Sequence, residues 1–272
     1  MPQTLHYISG MPRAGSTLLA ALLRQNPRFH AQMSSPVASL VTALARTMSQ
    51  ENEGGVFIDD EQRARVLTAS VAAFHADLGP DRLVFDTNRL WCAKLPMVAQ
   101  LWPNARVIAC VRNPAWAVDS VERLTRTNAL QPSGLFKFDA GGTVYSRAEG
   151  LMAATGMIGY ALNAVREAVY GEHGARLLLV RFDSLTTDPE RVLAKIYAFL
   201  GEPPFAHDPE HIEPDYDAMM FDARIGAPGL HAVGARVHAV LRQTVLPPDL
   251  FAKYDQAFWD APDALPDAVQ VV

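Results

Sequence analysis

Two rhythms of apolar residues alternate along this chain. Leu5, Tyr7 and Ile8 make a short apolar run, the mark of a buried strand. Past an intervening loop, Leu18, Leu19, Leu22 and Leu23 recur at helical spacing, so a helix is predicted from about Ser16. The same change of period returns three more times. Residues 82–86 (RLVFD) predict a second strand and residues 90–102 a helix after it. Residues 105–111 (ARVIACV) form the near-continuous apolar run of a central parallel strand. Pro114 then opens a helix with Val118, Val121 and Leu124 on its apolar side. Residues 175–180 (ARLLLV) predict a fourth strand. Asp188 and Pro189 start the next helix as cap and first residue, and Gly201 ends it.

The segments between these units are less regular. Residues 27–35 read as a polar connection, and Pro36 opens a helix carrying Val37, Leu40, Val41, Leu44 and Met48. Asp59, Asp60 and Glu61 place negative charge at the start of a helix predicted to run to about Leu78. Residues 131–142 are loop-like, and residues 144–170 carry one long helical pattern. From Pro203 the chain is dense in Pro, His and Asp. It then passes through a glycine-rich stretch, residues 225–231 (IGAPGLH), to a last predicted helix over residues 250–259. Four strand–helix alternations predict an α/β fold of the P-loop type: a parallel sheet with helices on both faces and ligands at the carboxyl ends of the strands. The reading is one domain over residues 1–272. Its core spans about 4–201, and an irregular and helical C-terminal segment, about 202–272, covers the site.

Four candidate motifs fall at predicted strand ends: residues 10–17, 86–89, 112–113 and 181–183. The first, GMPRAGST, has the spacing of a Walker A loop with Ser16 where the lysine would stand. Inward-turned N–H groups and a helix N-terminus make such a loop an anion site, and Arg13 is its cation. Without the lysine that reaches the β- and γ-phosphates, the loop suits a tetrahedral dianion better than ATP chemistry.

Composition narrows the picture further. The chain has 272 residues, 49% of them hydrophobic, enough for one sizeable core. Its net charge of −5 gives no general attraction to nucleic acid. Only four of its 24 basic residues are lysine, and arginine suits bidentate oxyanion binding. Cys92 and Cys110 show neither a disulfide framework nor metal spacing. The first strand begins by about residue 5 and no apolar run reaches 18 residues, so the expected location is the cytoplasm, off the membrane.

The loop G-M-P-R-A-G-S-T-L-L resembles the 5′-phosphosulfate loop of the PAPS-dependent sulfotransferases, closest to the tyrosylprotein sulfotransferases and their bacterial relatives. The resemblance covers about residues 4–201. It implies that Pro12, Arg13, Ala14, Gly15, Ser16 and Thr17 hold the phosphosulfate. Arg112 and Ser120, eight residues apart in V-R-N-P-A-W-A-V-D-S, match the pair that binds the 3′-phosphate in that family. Phe182 matches the aromatic that contacts the adenine. Asn88-Arg89 stands where those enzymes carry Asn-Lys, so Arg89 is the expected cation at the leaving group.

The general base departs from the family pattern. By the resemblance, Met33-Ser34 occupies the place of the family glutamate, and Asn88 or a neighbour that of the histidine used by cytosolic relatives. Asp86 and His231 are then the candidates, with Asp59 and Asp60 behind them. The implied cofactor is PAPS, released as PAP, with no metal required. The implied partner is a hydroxyl-bearing acceptor: peptide tyrosine, a small phenol, an alcohol or a sugar. Two alternatives stay open at this level. One is a P-loop kinase for a small molecule, with Asp86 as a Walker B aspartate; the other is a relative that binds nucleotide without turnover.

Overall fold

The structure, a computed structural model, describes residues 4–130, 142–261 and 265–272. Six parallel strands form one sheet in the order β2-β3-β1-β4-β5-β6. They are β1 (Thr4–Gly10), β2 (Phe29–Ala31), β3 (Leu83–Thr87), β4 (Val107–Val111), β5 (Leu177–Arg181) and β6 (Gln270–Val271). All five residues of β3 and of β4 are buried, as strands covered on both faces must be. Helices pack around the sheet, and Tyr7, Trp91 and Trp102 pack together beside β1, with Tyr7 and Trp91 at 4.2 Å between ring centres. The order reverses at β1, which is flanked by β3 on one side and β4 on the other. Such a switch point opens a crevice at the carboxyl strand ends. Among the described residues no helix is long and apolar enough to cross a membrane.

The first four helices in chain order are α1 (Ser16–Leu23), α2 (Val37–Thr47), α3 (Asp60–Phe74) and α4 (Leu95–Leu101), of which α1 and α2 reach the crevice. Beyond them lie α5 (Pro114–Thr127), α6 (Val144–Met152), α7 (Met157–Tyr170), α8 (Phe182–Thr187) and α9 (Pro189–Leu200). The chain finishes with α10 (Tyr216–Arg224) and α11 (Pro248–Tyr254).

Several sequence expectations are corrected. The polar connection over 27–35 contains β2, whose Phe29 and Ala31 are buried beside Leu83 and Phe85. The long pattern over 144–170 is two helices. A Cβ on Gly159 would sit 2.2 Å from the Ala153 carbonyl oxygen, so the corner closes only because that residue is glycine. The helix expected over 90–102 begins as a 3₁₀ segment, Arg89–Lys94, before α4. The helix expected to run to Leu78 ends at Phe74, and the one expected over 250–259 is α11 followed by a 3₁₀ turn, Phe258–Asp260. The loop-like reading of residues 131–142 lies almost wholly outside the described residues.

Candidate active site

The first loop is shaped by three residues in the left-handed region: Gly10 (φ 103°), Arg13 (φ 62°) and Gly15 (φ 91°). A Cβ on Gly10 would meet the Cys110 carbonyl oxygen at 2.1 Å, because Met11 N–H donates to that oxygen and draws the loop against β4. A Cβ on Gly15 would meet Phe182 at 3.1 Å. Gly15 also caps α1 without a side-chain hydrogen bond, so the first N–H groups of the helix stay open to a ligand. The hydroxyls of Ser16 and Thr17 make no hydrogen bond among the described residues. Ala14 is fully buried, so its side chain is packing and only its backbone is offered to a ligand.

Arg13 is the one non-glycine residue among those described with positive φ, a conformation that costs a non-glycine residue about 1–2 kcal/mol. The bend carries its guanidinium across to α5 and to the C-terminal segment. Nε donates to Ser120 Oγ at 3.0 Å, and Nη1 donates to the Leu230 carbonyl. Arg112, at the end of β4, donates from Nη1 to the Arg13 carbonyl at 3.1 Å. Its guanidinium carbon lies 3.9 Å from the centre of the Phe182 ring. Arg112 Nε is buried without a hydrogen-bond partner among the described residues. The geometry therefore brings Arg13, Arg112, Ser120 and Phe182 together.

A third guanidinium joins them. Arg242 lines the same cleft, held from behind by Asp119 at 3.2 Å. Asp119 is fully buried, and its Oδ1 accepts from Val245 N–H (2.7 Å) and Thr244 Oγ1 (2.9 Å). Burial and the charge of Arg242 lower the pKa of Arg13, and the same two causes push that of Arg112 down to about 10. A dianion placed among these groups relieves both effects. Sequence reading missed Arg242 because it lies in a stretch with no periodicity and no motif.

The cleft has a volume of about 560 Å³. Five arginines face it, namely Arg13, Arg89, Arg112, Arg236 and Arg242, and no carboxylate does among the described residues. Arg89 makes no hydrogen bond or ion pair among the described residues, so its charge is available. Asn88 is committed elsewhere: its side chain accepts from Leu90 N–H at 3.0 Å and donates to the Ser35 carbonyl at 2.9 Å.

Asp86 is a correction. It is 1% exposed and does not line the cleft. Its carboxylate accepts from Trp91 Nε1 (2.7 Å) and from Ser35 Oγ, and His75 Nε2 lies 3.4 Å away. It ties β3 to the segment after β2. Asp59 caps α3, accepting from Gln62 N–H, and lies outside the cleft. Asp60 pairs with Arg63 at 2.6 Å and also lies outside it. Met33 and Ser34 line the cleft.

His231 does reach the cleft, and α10, unpredicted from sequence, brings Asp222 behind it. The imidazole Nδ1 lies 2.6 Å from Asp222 Oδ1, and the His231 backbone N–H donates to Oδ2 at 2.7 Å. Asp222 left no sequence signal, since eight residues without a strong helical or strand pattern separate it from its partner.

The sequence matches the family model described as "Sulfotransferase family" over residues 7–207. Among solved structures, the fold is similar to a sulfotransferase domain from the curacin biosynthetic pathway. The TM-score is 0.50 at 17% identity, over 75% of this chain and 76% of that one. A sulfotransferase from Alicyclobacillus acidocaldarius gives 0.47 at 18% identity, over 82% and 92%. Retinol dehydratase, solved with androsterone and the inactive cofactor PAP, gives 0.42 at 15% identity, over 75% and 62%.

Proposed function

The chain belongs to the sulfotransferase family, and from that premise we propose that it moves a sulfuryl group from PAPS to an acceptor hydroxyl and releases PAP. The observation that carries this reading is the cleft wall, with five arginines and no carboxylate among the described residues. PAPS brings a phosphosulfate and a 3′-phosphate, and the buried, unpartnered Nε of Arg112 is a donor that such a group satisfies.

In this reading the loop N–H groups, Ser16 and Thr17 hold the phosphosulfate. Arg112, Ser120 and Arg242 hold the 3′-phosphate, which ATP lacks, and Arg13 spans the two ends. Phe182 offers the adenine a ring face opposite Arg112. Arg89 stabilises the charge that grows on the leaving oxygen; its guanidinium stays charged, so it acts electrostatically and not as a proton donor. Bound PAPS supplies the activated sulfur. The chain's task is to align it with the acceptor and exclude water, as in phosphoryl transfer. Met33, Leu90, Met157, Phe221 and Val233 make part of the wall apolar, which favours a hydroxyl on an apolar body, such as tyrosine, a phenol or an alcohol, over a sugar. The resemblance of the loop residues to those of tyrosylprotein sulfotransferases keeps peptide tyrosine among these.

Calorimetric titration with PAP and with ATP, each with and without magnesium, tests the reading. Tight, magnesium-independent PAP binding with weak ATP binding is expected. Magnesium-dependent ATP binding with no preference for PAP would overturn it.

A further inference from the structure

Resting on that reading, we infer that His231 is the base that takes the acceptor's proton and that Asp222 positions it. A hydroxyl attacking sulfur must lose a proton, so a base has to face the acceptor. With no carboxylate in the wall among the described residues, the ionisable groups there other than arginine are His231 and His238. His238 is exposed, and its Nδ1 faces only the Arg236 carbonyl, at 3.3 Å. Among the described residues no carboxylate pairs with it.

His231 is held quite differently. Its side chain is 19% exposed and that of Asp222 is 2% exposed. Both oxygens of this buried carboxylate serve one residue, Oδ1 the ring and Oδ2 the backbone N–H. An ionised carboxylate only accepts, so the proton on the ring sits at Nδ1 and the lone pair is at Nε2. Phe221 packs its ring edgewise at 5.7 Å and limits rotation. The backbone of Leu230, one residue before, takes the hydrogen bond from Arg13. The base is thereby tied to the loop that grips the sulfuryl donor, which fixes the distance between them.

The step balances as follows. The acceptor oxygen bonds to sulfur while the bond from sulfur to the bridging oxygen breaks, and that electron pair leaves with PAP. The acceptor proton passes to Nε2, and Asp222 stabilises the imidazolium until the proton returns to solvent. The aspartate touches no reacting atom; it sets the tautomer and then balances the charge.

A cap that merely closes the turn between α10 and residue 231 would use the same contacts, so the test must separate the two. The variants are His231→Gln, His231→Ala and Asp222→Asn. Three readouts are compared: PAP binding by calorimetry, nitrogen-15 spectra of the imidazole, and PAPS turnover with 2-naphthol or, without it, water as the attacking hydroxyl. His231→Gln is expected to lower kcat by about 10²–10⁴-fold with PAP binding within twofold of wild type. Added imidazole should restore part of the turnover of His231→Ala. Asp222→Asn has one acceptor oxygen for two donors, so its spectra should lose the single Nδ1–H tautomer and kcat should fall at least tenfold, again with PAP bound normally. Wild-type turnover in His231→Gln, or an Asp222→Asn protein slowed only because it binds PAP poorly, would overturn the inference. If the wild-type protein neither binds PAP nor consumes PAPS, the sulfuryl-transfer reading fails first, and the base assignment with it.

Discussion

Arg112 meets Phe182 with its face and the Arg13 carbonyl with one edge, and its Nε has no hydrogen-bond partner among the described residues. A charge-assisted hydrogen bond contributes about 1.5–3 kcal/mol, so Arg112→Ala should weaken PAP by roughly 10- to 100-fold. The affinity for 5′-AMP, which has no 3′-phosphate, should change little. Equal losses for both in a calorimetric titration would remove the proposed 3′-phosphate site. Gly10 allows a second check at this scale. Its φ of 103° and the 2.1 Å approach leave no place for a methyl group, so Gly10→Ala should cost several kcal/mol in urea unfolding. Residues of this kind were legible because the glycines and arginines fall in a spaced motif after a strand. Arg242 and Asp222 were not, since each acts through a contact more than eight residues away in sequence, with no local pattern to announce it.

At the level of elements, α5 presents two neighbouring residues to two tasks. Ser120 turns to Arg13, and Asp119 holds the stretch from 242 to 245. Asp119→Asn leaves Arg242 and Arg123 without their carboxylate, and about 3 kcal/mol of stability should be lost on breaking this buried pairing. PAP affinity should fall in the same protein, because Arg242 is no longer held against the cleft; calorimetry and urea titration on one sample check both effects. Strong units such as β4 and α9 were legible from continuous apolar runs and helix caps. β2 was hidden by its length, since three residues with two apolar ones show no period, and β6 is shorter still. The apparent continuity of 144–170 concealed a corner, because helical spacing on both sides of Gly156 stays in phase while the chain turns.

For the whole molecule, acid should be the first enemy of the fold. His6 is 3% exposed inside β1, accepts Arg106 N–H at Nδ1, and has its pKa pushed down to about 4 by burial and by the charge of Arg106. The unfolded chain therefore binds this proton more tightly than the folded one. The contribution of His6 is intact above about pH 6.5 and is lost as pH falls through the window to about 4, the loss reaching about 3 kcal/mol at the bottom of it. Urea midpoints between pH 7 and 4.5 should fall, and by less in His6→Asn. The parallel sheet and its switch point were predictable because alternation of strand and helix leaves few topologies. The C-terminal segment was expected over the site, but the contacts that hold it there gave no pattern in sequence, since they are single polar anchors on α5 and the first loop. One consequence follows from the guanidinium cluster for anyone handling this protein. Arg13, Arg112 and Arg242 repel one another, and any small oxyanion in a buffer eases that strain. Sulfate or phosphate should raise the melting temperature and compete with the nucleotide. At ten times its own dissociation constant, such an ion would lift the apparent Kd for PAP about tenfold. A laboratory working in phosphate would meet a sturdier protein that binds its nucleotide poorly.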